Sequence, residues 1–144
     1  DPFVPTEKME AEGVKVPATL EELYANCDYI SLHIPANEKT KGSINYELLS
    51  KMPKGGCLVN TARKEVIDEA GMEQLLADRA DLKYVTDIAP ANQAVLAEKF
   101  TTRFFATPKK QGAETAEANM NAGLAAARQI VGFIEKGETK FKVN

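Results

Sequence analysis

Polar or charged residues follow four apolar segments of the sequence, and these are the residues that could do chemistry. Segment 29–34 ends with His33 and Pro35, and segment 57–60 is followed by Thr61, Ala62 and Arg63. Segment 82–88 ends with Thr86 and Asp87, and segment 103–106 is followed by Thr107, Pro108, Lys109 and Lys110. Ligands of open parallel sheets bind outside the carboxyl ends of the strands. We therefore expect these groups to share one edge of a sheet and to form a concave polar site.

Each of these residues also has a structural interpretation. His33 is the only histidine and could serve as a structural hydrogen-bonding group, and Asp87 could cap a turn. Arg63 and the pair Lys109–Lys110 could be solvated surface charges. Cys27 and Cys57 are interpreted as small buried apolar residues rather than nucleophiles.

Composition and motifs exclude several classes of function. The 144 residues include 18 Lys and Arg against 21 Asp and Glu, so the net charge of −3 argues against nucleic acid as a partner. No apolar run approaches the roughly 20 residues of a membrane span. No spacing of His, Cys and carboxylate residues resembles a metal-ligand set, and no phosphate-binding glycine loop is present. Two cysteines and no visible secretory signal lead us to expect an intracellular, cytoplasmic protein.

Strand-like and helix-like patterns alternate along the chain, which predicts an α/β fold with a parallel sheet covered by helices on both faces. Pro2 and Pro5 predict turns in the first ten residues, and residues 14–16 predict a very short strand. Helices are predicted from the caps Thr19, Asn45 and Asp68, each beginning a polar–apolar pattern, and again over 93–100.

Apolar residues repeat at helical spacing from Ala116 to Ile134, within a long helix predicted over 113–137 that Gly137 can terminate. Apolar residues also fall on a second face of this predicted helix. We expect it to be buried between layers or domains.

The segment CDYISLHIPANEKTKGSINYELLSKMPKGGCLVNTARKEVIDEAGMEQLL closely resembles the D-2-hydroxyacid dehydrogenase family. The family pattern has an L-H-x-P segment, then M-K-x-G-A-x-x-I-N-x-A-R-G-x-x-V-D-E, then a strand bearing Asp, then T-P-H-x-G-x-x-T-x-E-A. The four pieces occur here in order over residues 19–136. Within the family, the resemblance is greatest to the D-3-phosphoglycerate dehydrogenases.

The resemblance implies part of a Rossmann-type, doubly wound parallel sheet followed by a long helix. It divides the chain into the latter part of an NAD-binding domain (1–112), a helix returning toward a substrate domain (113–137) and a tail (138–144). Asp1 would then be the carboxylate that binds the adenosine ribose. The glycine loop of the family would lie upstream, so we expect this chain to be the latter part of a larger protein.

The resemblance also assigns roles. Arg63 would hold the carboxylate of a 2-hydroxy or 2-oxo acid and polarise the reacting carbonyl. His33 and Pro35 would line the pocket of the cofactor NAD. Thr61 and Ala62 would supply backbone near the nicotinamide, and Asp87 would bind its carboxamide.

Two family residues differ here. Asn92 stands where the family has the Glu that orients its catalytic His, and Lys109–Lys110–Gln111 follows Thr107–Pro108 where that His is expected. We interpret the lysines as the replacement proton donor, with Lys109 favoured and Lys110 close behind.

Two functions remain open. The first is an NAD-dependent oxidoreductase acting on a 2-hydroxy acid, with D-3-phosphoglycerate, in serine biosynthesis, as the substrate that the resemblance implies. The second is a catalytically silent NAD-binding module that acts in sensing or assembly. A homodimer is expected by analogy with the family.

Overall fold

Four parallel strands form the sheet at the centre of this protein. The computed structural model describes residues 3–110 and 115–142. The chain divides into two compact units, Asp1–Pro108 and Lys109–Asn144. The elements of the first unit, in chain order, are α1 (Thr6–Ala11), α2 (Leu20–Asn26), β1 (Tyr29–Leu32), α3 (Tyr46–Ser50), β2 (Cys57–Asn60), a 3₁₀ turn (Lys64–Val66), α4 (Glu69–Asp78), β3 (Lys83–Thr86), α5 (Gln93–Lys99) and β4 (Phe104–Ala106).

The strands lie side by side in the order in which they occur in the chain, and every neighbouring pair is parallel. Right-handed crossovers between successive strands of such a sheet place α3, α4 and α5 on the same face. The strand residues that alternate toward this face are buried and form the core with the helices; they include Ile30, Leu32, Leu58 and Tyr84. On the opposite face, Tyr29 is 79% exposed and Phe105 is 58% exposed.

Side-chain caps begin two of the helices at the predicted residues. The Thr19 hydroxyl accepts from the Glu22 N–H at 3.1 Å, while the Glu22 carboxylate accepts from the Ala18 N–H at 2.8 Å. Asn45 Oδ1 accepts from the Leu48 N–H at 3.0 Å. Each bond satisfies a backbone donor that the first turn of a helix leaves open. Asp68, in contrast, precedes α4 without a side-chain capping bond, so that part of the prediction is wrong.

The first twenty residues differ most from the sequence-based expectation. Helix α1 occupies Thr6–Ala11, where turns were predicted, because Pro5 sits at the N-cap and does not interrupt the residues that follow. Residues 14–16 form no strand. A strand needs a hydrogen-bonded neighbour, and residues 14–16 pair with none of the four strands of the sheet.

Arg79 at the end of α4 ties together two loops at the amino-terminal edge of the sheet. Its guanidinium donates to the carbonyl groups of Ser50 and Met52 at 3.0 and 3.2 Å. It also binds the Asp81 carboxylate through Nε at 2.9 Å and Nη2 at 2.8 Å. Asp81 in turn accepts from the N–H of Gly55, whose φ of 83° favours glycine. Arg79 thereby links the end of α4 to the turn that enters β2.

The second unit contains the long helix α6, Ala116–Lys136, as predicted. The Thr115 hydroxyl accepts from the Ala118 N–H at 3.1 Å. Gly137 ends the helix with φ 65°, and its N–H donates to the Phe133 carbonyl at 3.0 Å, which is the αL type of helix ending. Burial of both apolar faces was expected, yet the large apolar side chains of α6 are exposed in this chain: Met120, Leu124, Ile130, Val131, Phe133 and Ile134.

Candidate functional site

The carboxyl ends of β1, β2, β3 and β4 lie at one edge of the sheet, because all four strands are parallel. That edge is continued by the residues that follow Leu32, Asn60, Thr86 and Ala106. The prediction that four successive strands deliver polar groups to a shared edge is therefore confirmed for the groups of the first unit.

The loop after β2 is shaped by the side chain of Asn60. Its Oδ1 accepts from the Ala62 N–H at 3.1 Å, and its Nδ2 donates to the Arg63 carbonyl at 3.0 Å. Thr61 and Arg63 are exposed, and Ala62 is half-buried. Arg63 Nη1 donates to the Ala62 carbonyl at 2.7 Å, which draws the guanidinium back along its own loop. The remaining N–H groups of the fork have the geometry that binds a carboxylate through two parallel hydrogen bonds.

The strand next to it ends in two buried polar residues. Thr86 is 1% exposed and Asp87 is 6% exposed. The Thr86 hydroxyl is 2.8 Å from the Asn60 carbonyl and accepts from the Ile88 N–H at 3.0 Å. The Asp87 N–H donates to the same Asn60 carbonyl at 3.4 Å. A buried carboxylate at a strand end can accept hydrogen bonds from an amide NH₂ group, so Asp87 fits the carboxamide of a nicotinamide.

His33 and Pro35 follow β1 on the exposed side of the edge. His33 Nε2 and Ser31 Oγ share a hydrogen bond of 2.9 Å. The Pro35 carbonyl accepts from the Thr40 hydroxyl at 2.6 Å, and Thr40 also accepts from the Asn37 N–H at 2.9 Å. These bonds give the β1 loop a defined shape next to the edge.

Asn92 uses its amide to join the β3–α5 loop to α4. Its Nδ2 donates to Glu73 Oε2 at 3.2 Å and lies 3.4 Å from the Glu69 carbonyl, while the Ala91 N–H donates to Glu69 Oε1 at 2.9 Å. Lys99 Nζ binds the other oxygen of Glu73 at 2.8 Å. Hydrogen bonds from Lys99 and Asn92 lower the pKa of Glu73. Asn92, which stands at the position of the family Glu, thus donates its side-chain hydrogen bonds to residues of α4.

The other predicted site residues lie in the second unit or outside the described residues. Lys109 is exposed and Lys110 is half-buried, and both belong to the second unit. Asp1 lies outside the described residues, as does Gln111. Each of these assignments therefore remains a prediction.

A shallow cleft of about 630 Å³ between α4 and α5 is lined by Ala70, Glu73, Gln74, Ala77, Lys99 and Phe100, away from the carboxyl edge. In the part of the chain that the structure describes, no group of three or more His, Cys, Asp or Glu residues could hold a metal ion. None of the described helices has the length and apolar character needed to cross a membrane.

Residues 1–109 match the family described as the D-isomer specific 2-hydroxyacid dehydrogenase, NAD binding domain. The parallel sheet and the polar groups at its carboxyl edge agree with that match. The chain belongs to the D-isomer specific 2-hydroxyacid dehydrogenase family, and it contains that family's NAD-binding domain.

Several named relatives are similar over most of this chain. The D-3-phosphoglycerate dehydrogenase of Haemophilus influenzae is 32% identical over 143 residues, which cover 95% of this chain and 35% of that protein. The enzyme of the same name from Methanocaldococcus jannaschii is 34% identical over 134 residues, covering 90% of this chain and 25% of that protein. The chain thus spans about a third or less of the length of these curated relatives.

Solved structures agree with the family assignment. The NAD⁺-bound 3-phosphoglycerate dehydrogenase of Entamoeba histolytica is 50% identical with a TM-score of 0.82, covering 100% of this chain and 45% of that one. The D-lactate dehydrogenase of Escherichia coli is 26% identical with a TM-score of 0.72, covering 96% of this chain and 43% of that one. The fold predicted from the sequence, a partial Rossmann-type parallel sheet with a long C-terminal helix, is confirmed.

Sequence reasoning missed what Asn60 and Glu69 do at this edge. Asn60 was interpreted only as the last residue of a strand, and Glu69 only as part of a helix. The available signal was a polar side chain at the end of an apolar strand, since such a residue is buried only if its hydrogen bonds are satisfied.

Proposed function

We propose that the protein containing this chain is an NAD-dependent oxidoreductase that transfers a hydride between nicotinamide and C2 of a 2-hydroxy acid. One observation carries the proposal: the Arg63 loop and the buried Asp87 follow neighbouring strands, β2 and β3, within a domain of this NAD-binding family. A carboxylate-binding group and a carboxamide-binding group at adjacent strand ends would bring substrate and nicotinamide together.

In this proposal each residue has a defined task. Arg63 binds the substrate carboxylate through its guanidinium fork and polarises the C2 carbonyl. Asp87 accepts from the nicotinamide carboxamide, while Thr61 and Ala62 present backbone beside the ring. His33 and Pro35 line the cofactor pocket. When bound, NAD supplies the hydride acceptor or, in its reduced form, the hydride donor.

Proton transfer is assigned to the lysines. Reduction of a 2-oxo acid develops negative charge on the carbonyl oxygen, which needs a proton. Lys109, or Lys110 beside it, supplies that proton in place of the family histidine. The family Glu that orients the histidine is replaced by Asn92, so both members of the family His–Glu pair are changed together in this chain.

The substrate in this proposal is D-3-phosphoglycerate, in serine biosynthesis, supported by the names of the relatives from H. influenzae and M. jannaschii. We extend the proposal to a cytoplasmic enzyme that forms a homodimer. Sedimentation of the full-length protein measures the latter: a single species at the monomer mass over the micromolar range contradicts the dimer.

The direct test is oxidation of NADH by the full-length protein with a panel of 2-oxo acids. The panel includes 3-phosphohydroxypyruvate and unphosphorylated hydroxypyruvate. A kcat/KM for 3-phosphohydroxypyruvate well above that for hydroxypyruvate supports the substrate assignment. Equal kcat/KM values for the two acids would contradict the substrate assignment and would indicate a 2-hydroxyacid dehydrogenase of different specificity.

A second function, a catalytically silent NAD-binding sensor or assembly module, is favoured by one observation. Asn92 stands in place of the family Glu and donates to Glu73 on α4. The same assay separates the two functions. Tight binding of NADH without turnover of any 2-oxo acid would favour the silent module.

A further inference from the structure

Asn60 and Thr86 form a buried polar pair at the ends of two neighbouring strands. They stand opposite each other in the parallel register of β2 and β3, and they are 0% and 1% exposed. Burying a polar side chain is unfavourable unless its hydrogen bonds are made inside the protein. The partners of this pair therefore indicate what the pair holds in place.

The partners of the Asn60 side chain lie in the loop that carries Arg63. Its oxygen accepts from the Ala62 N–H at 3.1 Å and its nitrogen donates to the Arg63 carbonyl at 3.0 Å. One amide thus fixes both the peptide that joins Thr61 to Ala62 and the carbonyl of Arg63. The Arg63 guanidinium also donates to the Ala62 carbonyl at 2.7 Å. The conformation of this loop therefore determines the position and direction of the Arg63 side chain.

The partners of the Thr86 side chain lie at the end of β2 and in the residue after Asp87. Its hydroxyl is 2.8 Å from the Asn60 carbonyl, and it accepts from the Ile88 N–H at 3.0 Å. The Asp87 N–H reaches the same Asn60 carbonyl at 3.4 Å. A single hydroxyl therefore joins the backbone of the residue after Asp87 to the strand that leads to Arg63.

We propose that Asn60 and Thr86 are positioning residues that hold the Arg63 loop and the Asp87 strand end in one fixed geometry. The proposal rests on the function proposed above, in which these two ends bind the substrate and the nicotinamide. Asn60 acts mainly on the substrate side and Thr86 mainly on the nicotinamide side. Displacing a substrate-binding group by about 1 Å can cost on the order of 100-fold in rate.

The experiment uses the full-length protein with the variants Asn60→Ala, Thr86→Val and Thr86→Ser. We expect Asn60→Ala to lower kcat/KM for the 2-oxo acid between about tenfold and 100-fold, with a smaller change in KM for NADH. We expect Thr86→Val, which keeps the shape and loses the hydroxyl, to raise KM for NADH more than KM for the acid. Thr86→Ser keeps the hydroxyl and is expected to restore KM for NADH toward the wild-type value.

Asn45→Ala is the matched control for Asn60→Ala. It also removes an amide whose oxygen accepts a backbone N–H, that of Leu48 at 3.0 Å, but it does so at the start of α3. We expect it to lower Tm and to leave both KM values unchanged. A kinetic change as large in Asn45→Ala as in Asn60→Ala would show that general loss of stability explains the effect and would overturn the proposal.

Backbone hydrogen exchange provides a measurement that does not depend on turnover. We expect faster exchange over residues 61–66 in Asn60→Ala and at Ile88 in Thr86→Val, with residues 46–50 affected only in Asn45→Ala. Wild-type exchange and wild-type kinetics in a folded Asn60→Ala or Thr86→Val protein would overturn the proposal. If Asn60→Ala does not fold, the comparison of Thr86→Val with Thr86→Ser decides it.

The same measurements separate this proposal from the function on which it rests. If the wild-type protein binds NADH but turns over no 2-oxo acid, the proposed oxidoreductase fails. Altered exchange in the variants would then still show that the two side chains hold these loops.

Discussion

Arg63 combines an exposed side chain with a tightly fixed backbone. The loop around it is held by Asn60, while its guanidinium contacts its own loop through the Ala62 carbonyl. Few contacts within the described residues depend on the Arg63 side chain, so its removal leaves little buried surface uncovered. This separation of side chain from scaffold is expected of a ligand-binding group carried on a rigid element.

Arg63→Ala in the full-length protein is therefore expected to reduce activity far more than stability. A charged donor aimed at developing charge is comparable with one oxyanion-hole donor, whose loss costs about 10²–10³-fold in kcat. Steady-state kinetics with the preferred 2-oxo acid and thermal unfolding measure the two effects. Wild-type kcat/KM together with a collapse of Tm would show that Arg63 is structural.

Lys109→Met and Lys110→Met test the source of the proton. Methionine keeps an unbranched apolar side chain and removes the ammonium group, so the acting lysine should lose most of its turnover while NADH binding persists. The pH profile of kcat should also lose the limb that reports the lysine. Lys136→Met, at the end of α6, is the matched control and is expected to behave as wild type. If both test variants keep wild-type rates and pH profiles, the proton comes from elsewhere.

At the scale of the elements, charged side chains fasten the loops on the edge of the sheet opposite the candidate site. Arg79 donates to the carbonyl groups of Ser50, the last residue of α3, and of Met52, and it forms an ion pair of 2.8 Å with Asp81. The Arg79 guanidinium, together with the Gly55 N–H, holds the pKa of the Asp81 carboxyl well below its ordinary value. These bonds between Arg79, Asp81 and the backbone around Gly55, called here the Arg79–Asp81 clamp, keep the turn before β2 aligned with the end of α4.

Because of the Arg79–Asp81 clamp, we expect the thermal stability of the folded protein to depend on pH. Because the folded-state pKa of Asp81 lies below its unfolded value of about 3.9, its contribution is present above that pH and is lost as the pH falls. Tm of Asp81→Asn should fall furthest below wild type near pH 7, and the gap should close as the pH drops below about 4. Asp28→Asn, at an exposed carboxylate before β1, is the control. A gap that stays constant from pH 7 to pH 3 would contradict the ion-pair explanation.

At the scale of the whole molecule, the chain is proposed to bind one end of the dinucleotide. The 144 residues contain no G-x-G-x-x-G loop, and such a loop with the helix behind it normally holds the pyrophosphate. The groups present at the carboxyl edge are those proposed for the nicotinamide and the substrate. A part of a site should contribute only part of the binding free energy.

The isolated 144-residue chain is therefore expected to bind NAD weakly, with the full-length protein binding it much more tightly. Calorimetric titration of both proteins under the same conditions measures the difference. Sub-micromolar affinity of the isolated chain would contradict the prediction and would mean that the edge described here holds the dinucleotide unaided.

The sequence by itself determined the class of fold and the edge on which the polar groups lie. Short apolar runs bounded by turn residues, such as 57–60, are typical of buried strands, and Thr19 and Asn45 begin helices through bonds to residues three positions away. These patterns are local, so they can be interpreted without knowing the rest of the molecule. The succession of parallel strands then requires the residues after Leu32, Asn60 and Thr86 to share an edge.

Only the tertiary structure decided which polar residues hold that edge together. The bonds from Thr86 to Asn60 and from Asn92 to Glu73 join residues 26 and 19 positions apart. Nothing in the local pattern distinguishes an asparagine at a strand end that faces solvent from one that is buried against the next loop. Asp68 stands at the N-cap of α4 and makes no side-chain capping bond, a difference from Thr19 and Asn45 that the sequence does not predict.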